Sequence, residues 1–192
     1  MTAVVSSATA VSLREQILSA AGTCFRERGF KATTMHEIAK HAGMSVGNLY
    51  NYFGGKDAII DEIAKREIDR LAREVDEVVN GRMSIEEQRE QFFQTLRQRL
   101  TLARARVKIE LYEEAVKNER LGVILARSDE QLRELIKKMH RSRSSESFSE
   151  EELEVRVEMD MALCDGLSFR LIANPMLDKE RVARVVANTI VR

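Results

Sequence analysis

Apolar residues recur at helical spacing along most of this chain. Leu13, Ile17, Leu18, Ala21, Cys24 and Phe25 mark one face of a first helix, with Ser12 as its N-cap and Gly29 as a left-handed stop. Thr34-Met35-His36-Glu37 has the hydroxyl-to-carboxylate spacing of a capping box, so a second, short helix opens there and runs to about His41. Ala42-Gly43-Met44-Ser45 supplies a glycine turn and then a serine cap for a third helix, Val46 to Phe53. Two short helices joined by a glycine turn are the pattern of a helix-turn-helix.

Beyond Gly54-Gly55 the pattern lengthens. Ile59, Ile60, Ile63, Ala64, Ile68, Leu71, Val75 and Val78 predict a helix from Lys56 to about Val79, which Asn80-Gly81 stops. Ser84-Ile85-Glu86-Glu87 and Ser149-Glu150-Glu151-Glu152 are two further capping boxes, opening helices near 85–100 and 149–173. Others are predicted near 104–117, 119–140 and 178–191, and the polar, serine-rich stretch 141–148 reads as a loop. No apolar and polar alternation is sustained over five positions, so strands have no support. The expectation is an all-α protein of about nine helices: a loose tail at 1–11, a helix-turn-helix domain at 12–56 and a second helical domain at 57–192.

Composition agrees: 44% of the 192 residues are hydrophobic and 32% charged, with a single proline and no tryptophan. The formal net charge is zero, which withholds the usual global sign of a nucleic-acid binder, but the charge is unevenly placed. Residues 1–56 carry six cations (Arg14, Arg26, Arg28, Lys31, Lys40, Lys56) against three anions (Glu15, Glu27, Glu37), leaving +3 there and −3 in the remainder. The two cysteines, Cys24 and Cys164, lie far apart and form no CxxC pair, so neither a disulfide scaffold nor a zinc site is expected. His36 and His41 lack a third ligand, and no nucleophile elbow or phosphate loop occurs. No cofactor, no metal and no catalytic residue is therefore expected. The first eleven residues lack the build of a signal peptide and no run approaches a membrane span, so the reading is of a cytoplasmic protein.

The segment from Thr33 to Lys56, together with the Gly29-to-Thr34 junction before it, closely resembles the DNA-binding signature of the TetR family of repressors over roughly residues 12–60. Residue physics points the same way. Ile38, Ala39, Leu49 and Phe53 are placed to anchor the two short helices, leaving Ser45, Val46, Gly47, Asn48, Tyr50, Asn51 and Tyr52 as a slim outward face that a major groove about 12 Å wide admits. The resemblance implies base contacts from Val46, Gly47 and Asn48, and phosphate contacts from Thr34, Tyr50 and Lys56. Asn51 and Tyr52 depart from many relatives: Asn51 pairs with adenine if it faces the groove, and Tyr52 either holds phosphate or packs.

The stretch Met161 to Ile172, with its Asp165-Gly166-Leu167 core, looks like the penultimate helix of TetR relatives, where the last two helices of each subunit build a homodimer interface. Leu163, Gly166, Leu167, Leu171, Val182, Val185, Val186 and Ile190 are the candidates here, Gly166 suggesting a close helix crossing. The resemblance further implies a pocket for a small-molecule effector. Phe92, Phe93, Leu96, Leu100, Tyr112, Met139, Met159 and Phe169 are suited to line it or to form plain core, and an inward Glu110, Glu113 or Asp165 would point to a cationic ligand. The function this implies is a repressor of double-stranded operator DNA, released by an effector. The alternative is a helix-turn-helix activator, or a ligand-independent regulator with a protein partner.

Overall fold

The computed structural model describes residues 2–143 and 148–191. Among them are nine helices and no strand: α1 (Thr2–Arg28), α2 (Met35–His41), α3 (Val46–Tyr52), α4 (Lys56–Val79), α5 (Ile85–Arg99), α6 (Leu102–Ala115), α7 (Glu119–Arg143), α8 (Glu150–Ala173) and α9 (Lys179–Ile190).

Local chemistry sets most of the boundaries. In all three capping boxes the Ser or Thr oxygen accepts the N–H three residues on while the glutamate accepts the N-cap N–H: Thr34 with Glu37, Ser84 with Glu87, Ser149 with Glu152. Gly29, Gly43 and Gly81 end α1, α2 and α4 with φ of 89°, 65° and 66°, in the left-handed region that other residues avoid.

One boundary differs from the sequence reading. α1 opens at Thr2 rather than at a Ser12 cap, so helix replaces the loose tail expected at 2–11. Nothing in Thr2–Val11 breaks a helix, neither glycine nor proline, and the alanines there are the strongest helix formers. The predicted loop at 141–148 likewise begins inside α7, and its residues 144–147 lie outside the described residues, as do Met1 and Arg192.

The chain forms two compact units, Met1–Lys65 with Arg106–Ile124, and Arg66–Ala105 with Leu125–Arg192. The first is built round Ile17, Ala21, Cys24 and Phe25 of α1, Ile38 and Ala39 of α2, Leu49 of α3, Phe53 and Ile59, with Leu121 and Ile124 of α7 joining the same core. In the second, Phe93, Leu96 and Leu100 from α5 and its cap pack with Leu167 and Leu171 of α8 and Ala183, Val186 and Ala187 of α9. Ion pairs border that core: Arg184 with Glu90, and Arg97 with Glu180 at 3.2 Å. Between α7 and α8, the Lys137 ammonium lies 3.1–3.2 Å from Glu134, Glu150 and Glu154, and His140 pairs with Asp160 at 2.8 Å.

Candidate nucleic-acid interface

α3 is seven residues long and is held from behind. Leu49 is fully buried and Phe53 nearly so, and Ile38 and Ala39 of α2 meet them in the core. A helix this short has little stability of its own, so these buried contacts and the Ser45 cap, whose oxygen accepts the Asn48 N–H at 3.2 Å, keep it folded. The outward row is then Gly47, Tyr50 and Asn51, all exposed, with Ser45 exposed just before them. Tyr50 keeps 53% of its surface open. Gly47 has nothing within 4 Å of where a Cβ would stand and no positive φ, so neither space nor backbone geometry calls for glycine there.

The other reading-helix candidates sit deeper. Val46 and Tyr52 are half-buried and packed against the core, which ties Tyr52 to packing on one side, and Asn48 is half-buried beside the cap. Thr34 is exposed at the start of α2, but its hydroxyl is engaged both ways, accepting the Glu37 N–H at 3.2 Å and donating to the Glu37 carboxylate at 3.0 Å. Glu37 also takes the Thr34 N–H at 2.8 Å and pairs with Arg28. Those hydrogen bonds, the backbone one foremost, hold the Glu37 carboxyl below the usual carboxylate range.

Lys56, at the start of α4, folds back over the Phe30 ring, 4.5 Å from its centroid, and donates to the Phe30 carbonyl at 2.8 Å and the Lys31 carbonyl at 3.4 Å. Burial pulls its ammonium below the ordinary lysine value, opposed by the nearby Glu114, Asp57 and Glu110. The same junction is gripped by α6. Glu110 accepts the Lys31 N–H at 3.0 Å, and its carboxylate fills the space beside Gly29 where a side chain would clash. Lys31 and Glu113 pair at 2.6 Å. Sequence reasoning missed Lys31; its only signal was a cation three positions before a helix cap.

The remaining candidates are scattered. Phe93, Leu96 and Leu100 belong to the core of the second unit, with Phe92 packed on it; Met139 is half-buried in α7 and Tyr112 lies in the first unit, 45% exposed. Met159 and Phe169 are 66% and 48% exposed on α8. None of these eight lines the cleft of about 520 Å³ in the second unit, which is walled by Ile68, Leu135, Glu130, Glu134, Lys138 and Arg141 among others. Of the carboxylates considered for a cationic ligand, Glu110 and Glu113 meet Lys31, and Asp165 is half-buried on α8.

Of the interface candidates, Leu167, Leu171 and Val186 are buried in the second unit's core, and Val182 and Ile190 pack on it. Leu163 and Val185 are exposed. Gly166 is half-buried and has no neighbour within 4 Å of a would-be Cβ, so the close crossing expected of it is not made among the described residues. No helix among the described residues is long and apolar enough to cross a membrane, and no cluster of three metal-ligating side chains occurs among them.

Comparison with known proteins fits this geometry. Over 66 residues the chain is 41% identical to the HTH-type transcriptional repressor KstR2 of Rhodococcus jostii, a match covering 34% of this chain and 32% of that protein. It thus spans about a third of the length of such relatives. Solved structures align over nearly the whole chain. A transcriptional regulator from Rhodococcus sp. Rha1 has a TM-score of 0.66 at 22% identity, covering 92% of this chain and 95% of that one. The SmeT–triclosan complex has a TM-score of 0.72 at 18% identity, covering 93% and 90%. At such identities these structures show the fold. Residues 17–63 match the bacterial regulatory proteins of the tetR family, and residues 85–192, more than half of the chain, match the C-terminal region of BetI-type transcriptional repressors. The chain belongs to the TetR family, whose members are transcriptional regulators and not enzymes.

Proposed function

We propose that this protein is a cytoplasmic, homodimeric repressor that binds a palindromic operator and leaves it when a small molecule binds. The observation that carries this reading is α3: a slim outward row, Gly47, Tyr50 and Asn51, backed by a fully buried Leu49. With no side chain at Gly47 the backbone can approach base edges, while Asn51 can pair with adenine and Val46 can meet a thymine methyl. Tyr50, Thr34 and Lys56 hold phosphates and so set register rather than sequence. For Lys56 this means leaving the Phe30 carbonyl, an exchange the DNA charge favours.

One short helix makes too few base contacts for useful specificity. Two copies related by a two-fold axis would place reading helices in successive major grooves about 34 Å apart. The exposed Leu163 and Val185, with Gly166 between open flanks, supply the apolar face for such pairing. Effector release needs a ligand that binds the non-operator state more tightly, with α4, which runs from Lys56 to Val79 without a break, as the element that shifts. The packing of Phe93, Leu96 and Leu100 into solid core favours a second reading, regulation by a protein partner without an effector.

Selection from random duplex DNA tests the first reading. A palindromic consensus bound by a dimer supports it, and failure to enrich any sequence refutes it. Screening metabolites for release of that duplex separates the two forms of regulation.

A further inference from the structure

The α1–α2 junction is held by an unusual pair of opposite charges. The peptide between Phe30 and Lys31 donates its N–H to Glu110 at 3.0 Å, and its carbonyl accepts from the Lys56 ammonium at 2.8 Å, so each end of the peptide dipole meets the charge that it favours. Gly29 makes this possible, because any Cβ there would run into the Glu110 carboxylate. With the junction fixed against α6, Glu113 one turn further on reaches the Lys31 ammonium at 2.6 Å. Lys31 stands three positions before Thr34, at most about 10 Å of extended chain, so its long stem reaches the strand of phosphates that Thr34 is proposed to meet.

We propose that Lys31 is a further phosphate-binding residue and that Glu113 is its built-in competitor, a carboxylate occupying the place of a DNA phosphate. This rests on the reading of Thr34 as a contact to the DNA backbone. The pair is solvent-exposed, with side chains 39% and 52% open, so exchange of one anion for another has a low barrier. Glu113 holds the Lys31 ammonium above its ordinary value, and Lys31 in turn holds Glu113 below its own, as expected of two charges that meet directly. Lys117 shares Glu113 at 3.4 Å and keeps it turned to this side of α6.

The test is a double-mutant cycle with Glu113→Gln and Lys31→Gln, read as affinity for a random-sequence duplex across a salt series. Glu113→Gln should bind more tightly than wild type, with a salt slope steeper by about 0.9, one phosphate contact's worth. Its advantage should therefore shrink about threefold between roughly 50 and 200 mM salt. In the Lys31→Gln background the same substitution should change neither affinity nor slope. Equal gains in both backgrounds, or no gain in the wild-type one, overturn the proposal. Both variants are on the surface, and superimposable thermal melts confirm that the cycle compares folded proteins. Wild-type protein that ignores every duplex removes the DNA-binding reading itself; wild-type binding with an unaltered Glu113→Gln removes this inference alone.

Discussion

Replacing Gly47 by alanine should make the protein more stable and a poorer DNA binder. In the free protein a Cβ at that position meets nothing within 4 Å, and the backbone does not use a positive φ, so alanine brings no clash and no strain. Glycine costs about 0.8–1.0 kcal/mol relative to alanine in a helix interior, and for the second residue of α3, in its first turn, we take roughly 0.5 kcal/mol. That is about 1–2 °C in melting temperature for a chain of this size. On DNA the same methyl lands where backbone and base edges are meant to touch. Overpacking a close contact costs about 1–3 kcal/mol, or about 5- to 150-fold in Kd. The two measurements are a thermal melt and fluorescence anisotropy on the selected duplex. A melting temperature that falls refutes the open surroundings of Gly47; an unchanged Kd refutes its close approach to the groove.

Other substitutions probe the supports. Gly29→Ala must adopt a φ of 89° and push against the Glu110 carboxylate, and should lower the melting temperature by the equivalent of about 1–3 kcal/mol, partly restored by Glu110→Ala. Leu49→Ala, at the buried back of α3, should cost about 2–5 kcal/mol in urea unfolding, and operator binding should fall with it. Leu163→Lys combined with Val185→Lys should give monomers in sedimentation with helix content intact; a persistent dimer places the interface elsewhere. The capping-box carboxylates Glu37, Glu87 and Glu152 all sit below their ordinary value of 4.5 because each accepts an N-cap N–H. A carboxyl group depressed by folding supports the fold fully above its unfolded value and loses that support as pH falls through the folded one. Glu87→Gln should therefore be less stable than wild type near neutral pH, and the gap should close in acid; a gap independent of pH refutes the charge-based account.

Most helix ends were legible because their signals lie within four residues of one another. Thr34 and Glu37, Ser84 and Glu87, Ser149 and Glu152 carry their meaning locally, as do the glycines that close α1, α2 and α4. The outward face of α3 was legible in part: of the seven residues read as outward, Ser45, Gly47, Tyr50 and Asn51 are exposed, whereas Val46, Asn48 and Tyr52 are half-buried, because residues flanking Leu49 on so short a helix share its buried side. The start of α1 was not, because a run of small residues fits both a loose tail and a helix. The surroundings of the pocket candidates were not legible, because periodicity marks an apolar face without saying what it faces: Phe93 is in the core with α9, while Phe169 is exposed. The grip of Glu110 on Lys31 spans 79 positions, and no local pattern announces a contact between such distant residues.

The separation between what α3 buries and what it shows has an evolutionary side. Leu49 and Phe53 answer to the interior, whereas Gly47, Tyr50 and Asn51 share no contact with it that folding depends on. On the proposed reading, substitutions of Tyr50 and Asn51 should alter which operator is recognised while leaving the protein equally resistant to heat. New regulatory targets would thus be open to single changes at these two positions, and a survey of variants by thermal tolerance alone would pass over them.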